Sequence, residues 1–314
     1  MIPPQSEEVL GLAGQGRAVR GQLDLFSHSR TAILINDLID SLLERNTVGA
    51  TERLQLLRTE AGSHPALQSL EILTDALERW PVPATAAAHS ARLIEWLDSE
   101  VERAASRAFG TSAQDFMRPF WRDLAQALAR QPYDPKNPRA HSAYCCLRAG
   151  EARAALESFS AIKGHDPGDP FLLQWETIAR YRAFGWRAAR GSFFTLALRA
   201  PEHLIETLIE MGDSALLADW ERFWLECAWL EPRDVIGASW FPAWYLIEHP
   251  ATRLEELQTL GDLDSSPVRA FQVIRRLQAL DPFGHGPALI STRAELRRID
   301  EQMFRHYMSR PHAT

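Results

Sequence analysis

From Thr31 to Arg45 the apolar residues Ile33, Leu34, Leu38, Leu42 and Leu43 recur at helical spacing, with Asn46 as a stop. The same rhythm continues through about 50–61, closed by Gly62, and through about 65–80, closed by Pro81-Val82-Pro83. Two longer helices follow, over about 85–108 and 113–131, with Pro119 either in the first turns of the second or kinking it. Beyond Pro201 the pattern predicts helices near 203–211, 214–230, 241–248, 251–260, 266–280 and 288–309. Gly212, Pro232, Pro250, Pro267 and the run Asp281–Pro287 punctuate them. Residues 1–28 carry Pro3, Pro4 and four glycines without a sustained apolar period, and read as a mobile leader. Composition points the same way: 43 Ala and 40 Leu stand against 23 Val plus Ile, so helix is favoured over sheet and the expected class is all-α.

The segment Pro132-Tyr-Asp-Pro-Lys-Asn-Pro138 has three prolines and is the clearest junction, separating either two domains or two repeats. After it the chain repeats itself at an offset of 34 residues. Arg148-Ala149 aligns with Arg182-Ala183, Arg153-Ala154-Ala155 with Arg187-Ala188-Ala189, Ser158-Phe159 with Ser192-Phe193, and Pro167 with Pro201. A small residue lets two antiparallel helices approach closely, an aromatic fills the space beside the contact, and a proline ends the second helix. Gly150 and Gly185 supply the turns within each pair. This pattern over about 136–201 resembles the tetratricopeptide repeat family, with Ala155 and Ala189 at its small position, Phe159 and Phe193 at its aromatic position, and Pro167 and Pro201 at its closing proline. The family's usual large residues in the first helix are replaced or displaced. The resemblance implies a tetratricopeptide-like α-solenoid with irregular ends, whose members mostly mediate contacts between proteins. The expected organisation is a leader (1–28), an N-terminal helical region (29–131), the repeats (132–201) and a Trp-rich C-terminal region (202–314); 132–314 reads equally as one domain.

Charge narrows the choice of partner. The formal net charge is −7, which offers no broad field for phosphates and speaks against direct nucleic-acid binding. The 32 Arg against 2 Lys (Lys136 and Lys163) leave few candidates for lysine chemistry, while an Arg in a groove suits a carboxylate. Cys145, Cys146 and Cys227 form neither an even disulfide framework nor a zinc spacing, and His141 with Cys145 at i, i+4 lacks a second ligand pair, so no metal or other cofactor is expected. The N-terminus lacks the features of a signal peptide, and no apolar run is long enough to span a bilayer. The expected compartment is the cytoplasm.

Two features carry a functional reading. Gln22-Leu23-Asp24-Leu25-Phe26 resembles the pentapeptide by which bacterial replication and repair proteins bind the DNA sliding clamp, Leu and Phe entering an apolar pocket while the Gln amide hydrogen-bonds beside it. The alternative is that Leu25 and Phe26 pack on the first helix ahead of a Ser cap. Trp220, Trp224, Trp229, Trp240 and Trp244 place half of the ten tryptophans within 25 residues. Trp220, Phe223, Trp224 and Cys227 share one helical face; such a stripe is either core or, with Arg222, Arg233 and Arg253 nearby, an aromatic groove for a peptide. No phosphate loop, nucleophile elbow or dinucleotide turn is present, although a helical enzyme site need not announce itself in sequence. The resulting expectation is a non-catalytic scaffold or adaptor for a protein or peptide. An accessory factor recruited to the sliding clamp is the first alternative, and a helical enzyme the second.

Overall fold

The computed structural model describes residues 30–80, 87–162, 166, 168–230, 235–252, 254, 260, 263–280 and 286–310. The pentapeptide at 22–26, the expected leader, Pro167, Arg233, Arg253 and most of the helix expected over 251–260 lie outside these. The described residues form an all-helical fold without strands, and their helices pack in neighbouring pairs. The chain divides into two compact units, Met1–Leu124 and Ala125–Thr314, the boundary falling inside a helix just ahead of the proline-rich segment.

In the first unit α1 covers 30–43, followed by α2 (Thr47–Ala61), α3 (Leu67–Arg79), α4 (Ala87–Trp96), α5 (Glu102–Phe109) and the start of α6 (Ala113–Leu128). Arg45 takes a positive φ of 57° to end the first turn, and Asn46 then caps α2 by accepting from the Gly49 amide at 3.0 Å. Asn46 therefore starts a helix as much as it stops one. The helix expected over 85–108 is interrupted by a wide turn at Leu97–Val101, which places both Leu97 and Val101 in the core. Pro119 sits inside α6. Leu38, Leu42, Leu57, Leu70, Leu73 and Phe120 are fully buried and form the heart of this unit.

The second unit contains α7 (Ser142–Arg148), α8 (Ala152–Ser160), α9 (Pro170–Phe184), α10 (Trp186–Arg199), α11 (Leu204–Met211) and α12 (Ser214–Glu226). It continues with α13 (Val235–Ala238), α14 (Phe241–Glu248), α15 (Ser266–Leu280), α16 (Pro287–Ile299) and α17 (Glu301–Ser309). Successive helices α7 to α11 pack on one another, as a repeat stack requires. Ala155 and Ala189 are completely buried at equivalent points of α8 and α10, and Phe193 is buried while Phe159 is half-buried. Gly150 and Gly185 both take φ of 79°, a backbone region that only glycine occupies without strain.

Two further expectations change. The helix expected over 288–309 is two helices, because Asp300 adopts an extended backbone (φ −154°, ψ 119°), ends α16 and caps α17 by accepting from the Met303 amide at 2.7 Å. The first helix of the first repeat is also short. Lys136–Ala140 stand one period before Pro170–Gln174, yet only the later stretch is helical. Pro135 and Pro138 supply no amide hydrogen and restrict the residues before them, so α7 begins only at Ser142.

Gly185 joins α9 to α10 with ψ of −178°, and a side chain there is strained although nothing lies within 4 Å of where its Cβ would stand. Gly185→Ala is expected to lower unfolding stability by about 1–3 kcal/mol, measured by urea titration.

Candidate functional site

The second unit offers two places where polar chemistry is concentrated. The first is where α12, α14 and α17 end. Cys227, Phe223, Phe241 and Trp244 are buried there, and the rings stack edge to face: Phe223 on Trp244 (centroids 5.6 Å) and Trp220 on Trp224 (5.4 Å, 88°). The Trp224 ring lies so close to α13 that a Cβ at Gly237 would stand 2.9 Å from it, which explains the glycine. Trp240 opens α14 and is 7% exposed, and Trp244 is fully buried. These two are packing residues, not ring faces presented in a groove, because α14 is buried along its length against its neighbours. Trp220, Trp224 and Arg222 remain half-buried, with the Arg222 guanidinium 5.2 Å from the centre of the Trp244 ring.

Over this aromatic floor Glu226 ends α12, Glu248 ends α14, and His306 and Arg310 come from the end of α17. Arg310 Nη2 contacts Glu226 Oε2 at 2.8 Å, and Arg310 Nε stands 2.6 Å from Glu248 Oε1. His306 Nε2 lies 3.0 Å from the same Glu248 oxygen, and Trp244 Nε1 donates to Glu226 at 3.1 Å. Arg222 reaches Glu248 Oε2 at 3.9 Å and is itself held by Asp219, which also pairs with His249 Nε2 at 2.9 Å. Glu226, Glu248 and His306 bring three ligand atoms within 4.8 Å of one another, the geometry of a cation site. The Arg310 guanidinium binds the same carboxylate oxygens, so the chain supplies the cation itself.

Burial drives His306 below the ordinary imidazole range; Glu248 pulls the other way and Arg310 adds to the depression. The ring is therefore neutral at neutral pH and donates Nε2–H to Glu248. Burial raises the Glu226 carboxyl, but hydrogen bonds from Arg310 and Trp244 outweigh it and the net displacement is downward.

The second place is a cavity of about 780 Å³ at the start of the shortened α7. Tyr133, His141, Ser142, Ser158 and Asp169 line it, beneath a rim that includes Arg130 and Pro135. Tyr133 donates to Asp169 at 2.7 Å, and Asp169 also caps α9 through the amides of Phe171 and Leu172. Cys145 and Cys146 are buried in the body of α7, so His141 and Cys145 do different things: the histidine caps the helix and the thiol packs inside it. Burial pushes the Cys146 thiol up, away from thiolate chemistry.

Sequence spacing located the aromatic half of the first site but not its charges, which come from residues up to 84 positions apart. The only signal was positional: each acid closes a helix. Comparison of the chain with protein-family models, with curated proteins and with solved structures gives no match. No helix among the described residues is long and apolar enough to cross a membrane.

The charged cluster weakens in acid. A neutral buried imidazole contributes its full stabilisation above the free value of about 6.5 and loses it as pH falls toward the depressed folded value. Glu226, also depressed, loses its share in the same direction below about 4.5. Amide exchange in residues 301–309, corrected for intrinsic rates, is expected to accelerate below about pH 6.5 before that of α9 and α10, and Glu248→Gln is expected to accelerate it already at neutral pH.

Proposed function

We propose that the protein is a non-catalytic scaffold that binds another polypeptide through its stacked helix pairs. The observation that carries this reading is the surface of the stack. Ala155 and Ala189 bring the helices together inside, while Phe184 on α9 and Ile205 and Ile209 on α11 remain 58%, 43% and 65% exposed. Ile205 and Ile209 lie one turn apart on α11, opposite the buried Leu204, Thr207, Leu208 and Met211, with Glu206 exposed between them. Arg182 ties α9 to α11 through Glu210 at 3.2 Å, so the helices bearing this surface are held together. A rigid row of helices with apolar side chains among charges suits a helical or extended partner segment.

A purified complex tests the reading. The double substitution Ile205→Glu, Ile209→Glu is expected to weaken partner binding at least about tenfold without altering the melting temperature, as loss of exposed anchor residues does. Unchanged binding, or a wild-type protein that retains no partner after cross-linking, overturns it.

A second reading rests on Gln22–Phe26 alone: an accessory factor of DNA replication or repair recruited to the sliding clamp. A peptide spanning the motif is expected to bind purified bacterial clamp and to lose that binding with Leu25→Ala, Phe26→Ala; a silent wild-type peptide ends this reading.

A further inference from the structure

The exposed stripe of α11 is acidic as well as apolar. Glu202, in the 3-10 turn Pro201–His203 that leads into α11, is followed by Ile205, Glu206 and Ile209 at i+3, i+4 and i+7, and all four are exposed. The opposite side of the helix is buried through Leu204, Thr207, Leu208 and Met211. Glu206 stands in the first turn of α11, where the helix dipole favours a carboxylate. Neither Glu202 nor Glu206, however, pairs with a cation among the described residues. Glu210, four residues further on, is held by Arg182.

The cations of the helices around α11 are engaged elsewhere. Arg180 pairs with Glu176 on α9, Arg182 with Glu210, and Arg222 with Asp219 on α12. Arg199, at the end of α10, points to Gly168, its Nη1 standing 3.0 Å from where a Cβ there would be. Arg187 and Arg190 follow Gly185 at the start of α10, beside the turn where Arg182 meets the end of α11, whereas Glu202 and Glu206 stand at its beginning. Two open carboxylates therefore lie at one end of the stripe, beside two apolar side chains one turn apart. Phosphates and anionic lipid are repelled, and a second copy docked through the same stripe brings no cation. A segment bearing Lys or Arg is attracted. Ile205 and Ile209, four residues apart, form a ridge of the kind that seats in the groove of another helix. A helix antiparallel to α11 sets its last turns beside Glu202 and Glu206, the end at which its own dipole favours Lys or Arg.

We propose that the α11 stripe docks an antiparallel amphipathic helix of a partner protein, apolar residues one turn apart covering Ile205 and Ile209 and Lys or Arg in its last turns meeting Glu202 and Glu206. The proposal rests on the scaffold reading and adds the chemistry and the direction of the partner's segment.

The test uses the full chain with methyl-labelled isoleucine, Ile205 and Ile209 being assigned from Ile205→Val and Ile209→Val variants. The probe is a blocked amphipathic peptide of about 15 residues, with two leucines one turn apart and Lys in its last turns; a companion peptide carries Glu in place of each Lys. The Lys peptide is expected to move both methyl resonances saturably, and the Glu peptide to leave them in place. Glu202→Gln with Glu206→Gln is expected to weaken the Lys peptide about three- to tenfold at low salt and to remove most of its salt dependence, with the melting temperature unchanged. A spin label on the last residue of the Lys peptide is expected to broaden Ile205 more than Ile209. Absence of a saturable shift, an equal response to the Glu peptide, or stronger broadening of Ile209 overturns the proposal. A shift of both methyls with protein concentration alone also overturns it, since a second copy then covers the stripe. A purified partner complex that survives Glu202→Gln, Glu206→Gln but not Ile205→Glu, Ile209→Glu removes the basic helix and leaves the scaffold standing; failure of the wild type to retain any partner removes the scaffold.

Discussion

Close helix approach at alanine is the constraint on which the second unit depends. Ala155 and Ala189 are fully buried on α8 and α10, and a methyl group at such a position lets packed helices approach closely. Once α7 lies on α8, and α9 on α10, each pair still has an apolar face uncovered and is stable only against the next. Phe193, Phe194 and Trp186 fill the space beside the α10 crossing and hand contacts to Phe241, Tyr245 and Phe271, so aromatic packing continues into helices that no longer keep the repeat spacing. The Trp-rich region is thereby an extension of the same core.

The arginine surplus acquires a structural use at the far end of that core. Arg222 and Arg310 serve buried or half-buried carboxylates and, through Arg222, an indole face, tasks that suit a planar guanidinium better than an ammonium. Arg45 does comparable work in the first unit, its guanidinium 4.3 Å from the Phe120 ring centre and its Nη1 on the Phe116 carbonyl. These are local pairings, in keeping with a molecule whose net charge remains negative.

The repeat and most helices were legible because they depend on neighbours in sequence: Gly150 and Gly185 close turns, Pro170 opens a helix, and identities recur at a fixed offset. The break at Asp300 was not legible, since one aspartate between helical stretches is as compatible with a continuous helix as with a cap. The cluster of Glu226, Glu248, His306 and Arg310 was hidden for a different reason. Its members meet only after α12, α14 and α17 have packed, and no spacing records that. The aromatic stripe of α12 was visible as a stripe, but whether Trp244 faced inward depended on α14, a separate element.

The break at Asp300 also sets how the end of the chain behaves in time. With a single extended residue between α16 and α17, the tether of the last helix is nearly as short as a tether can be. His306 and Arg310 therefore experience their carboxylates at a very high effective concentration even when the contacts are broken. Any separation of α17 is therefore followed by rapid reclosure, which keeps the indole and carboxylates beneath it covered for nearly all of the time.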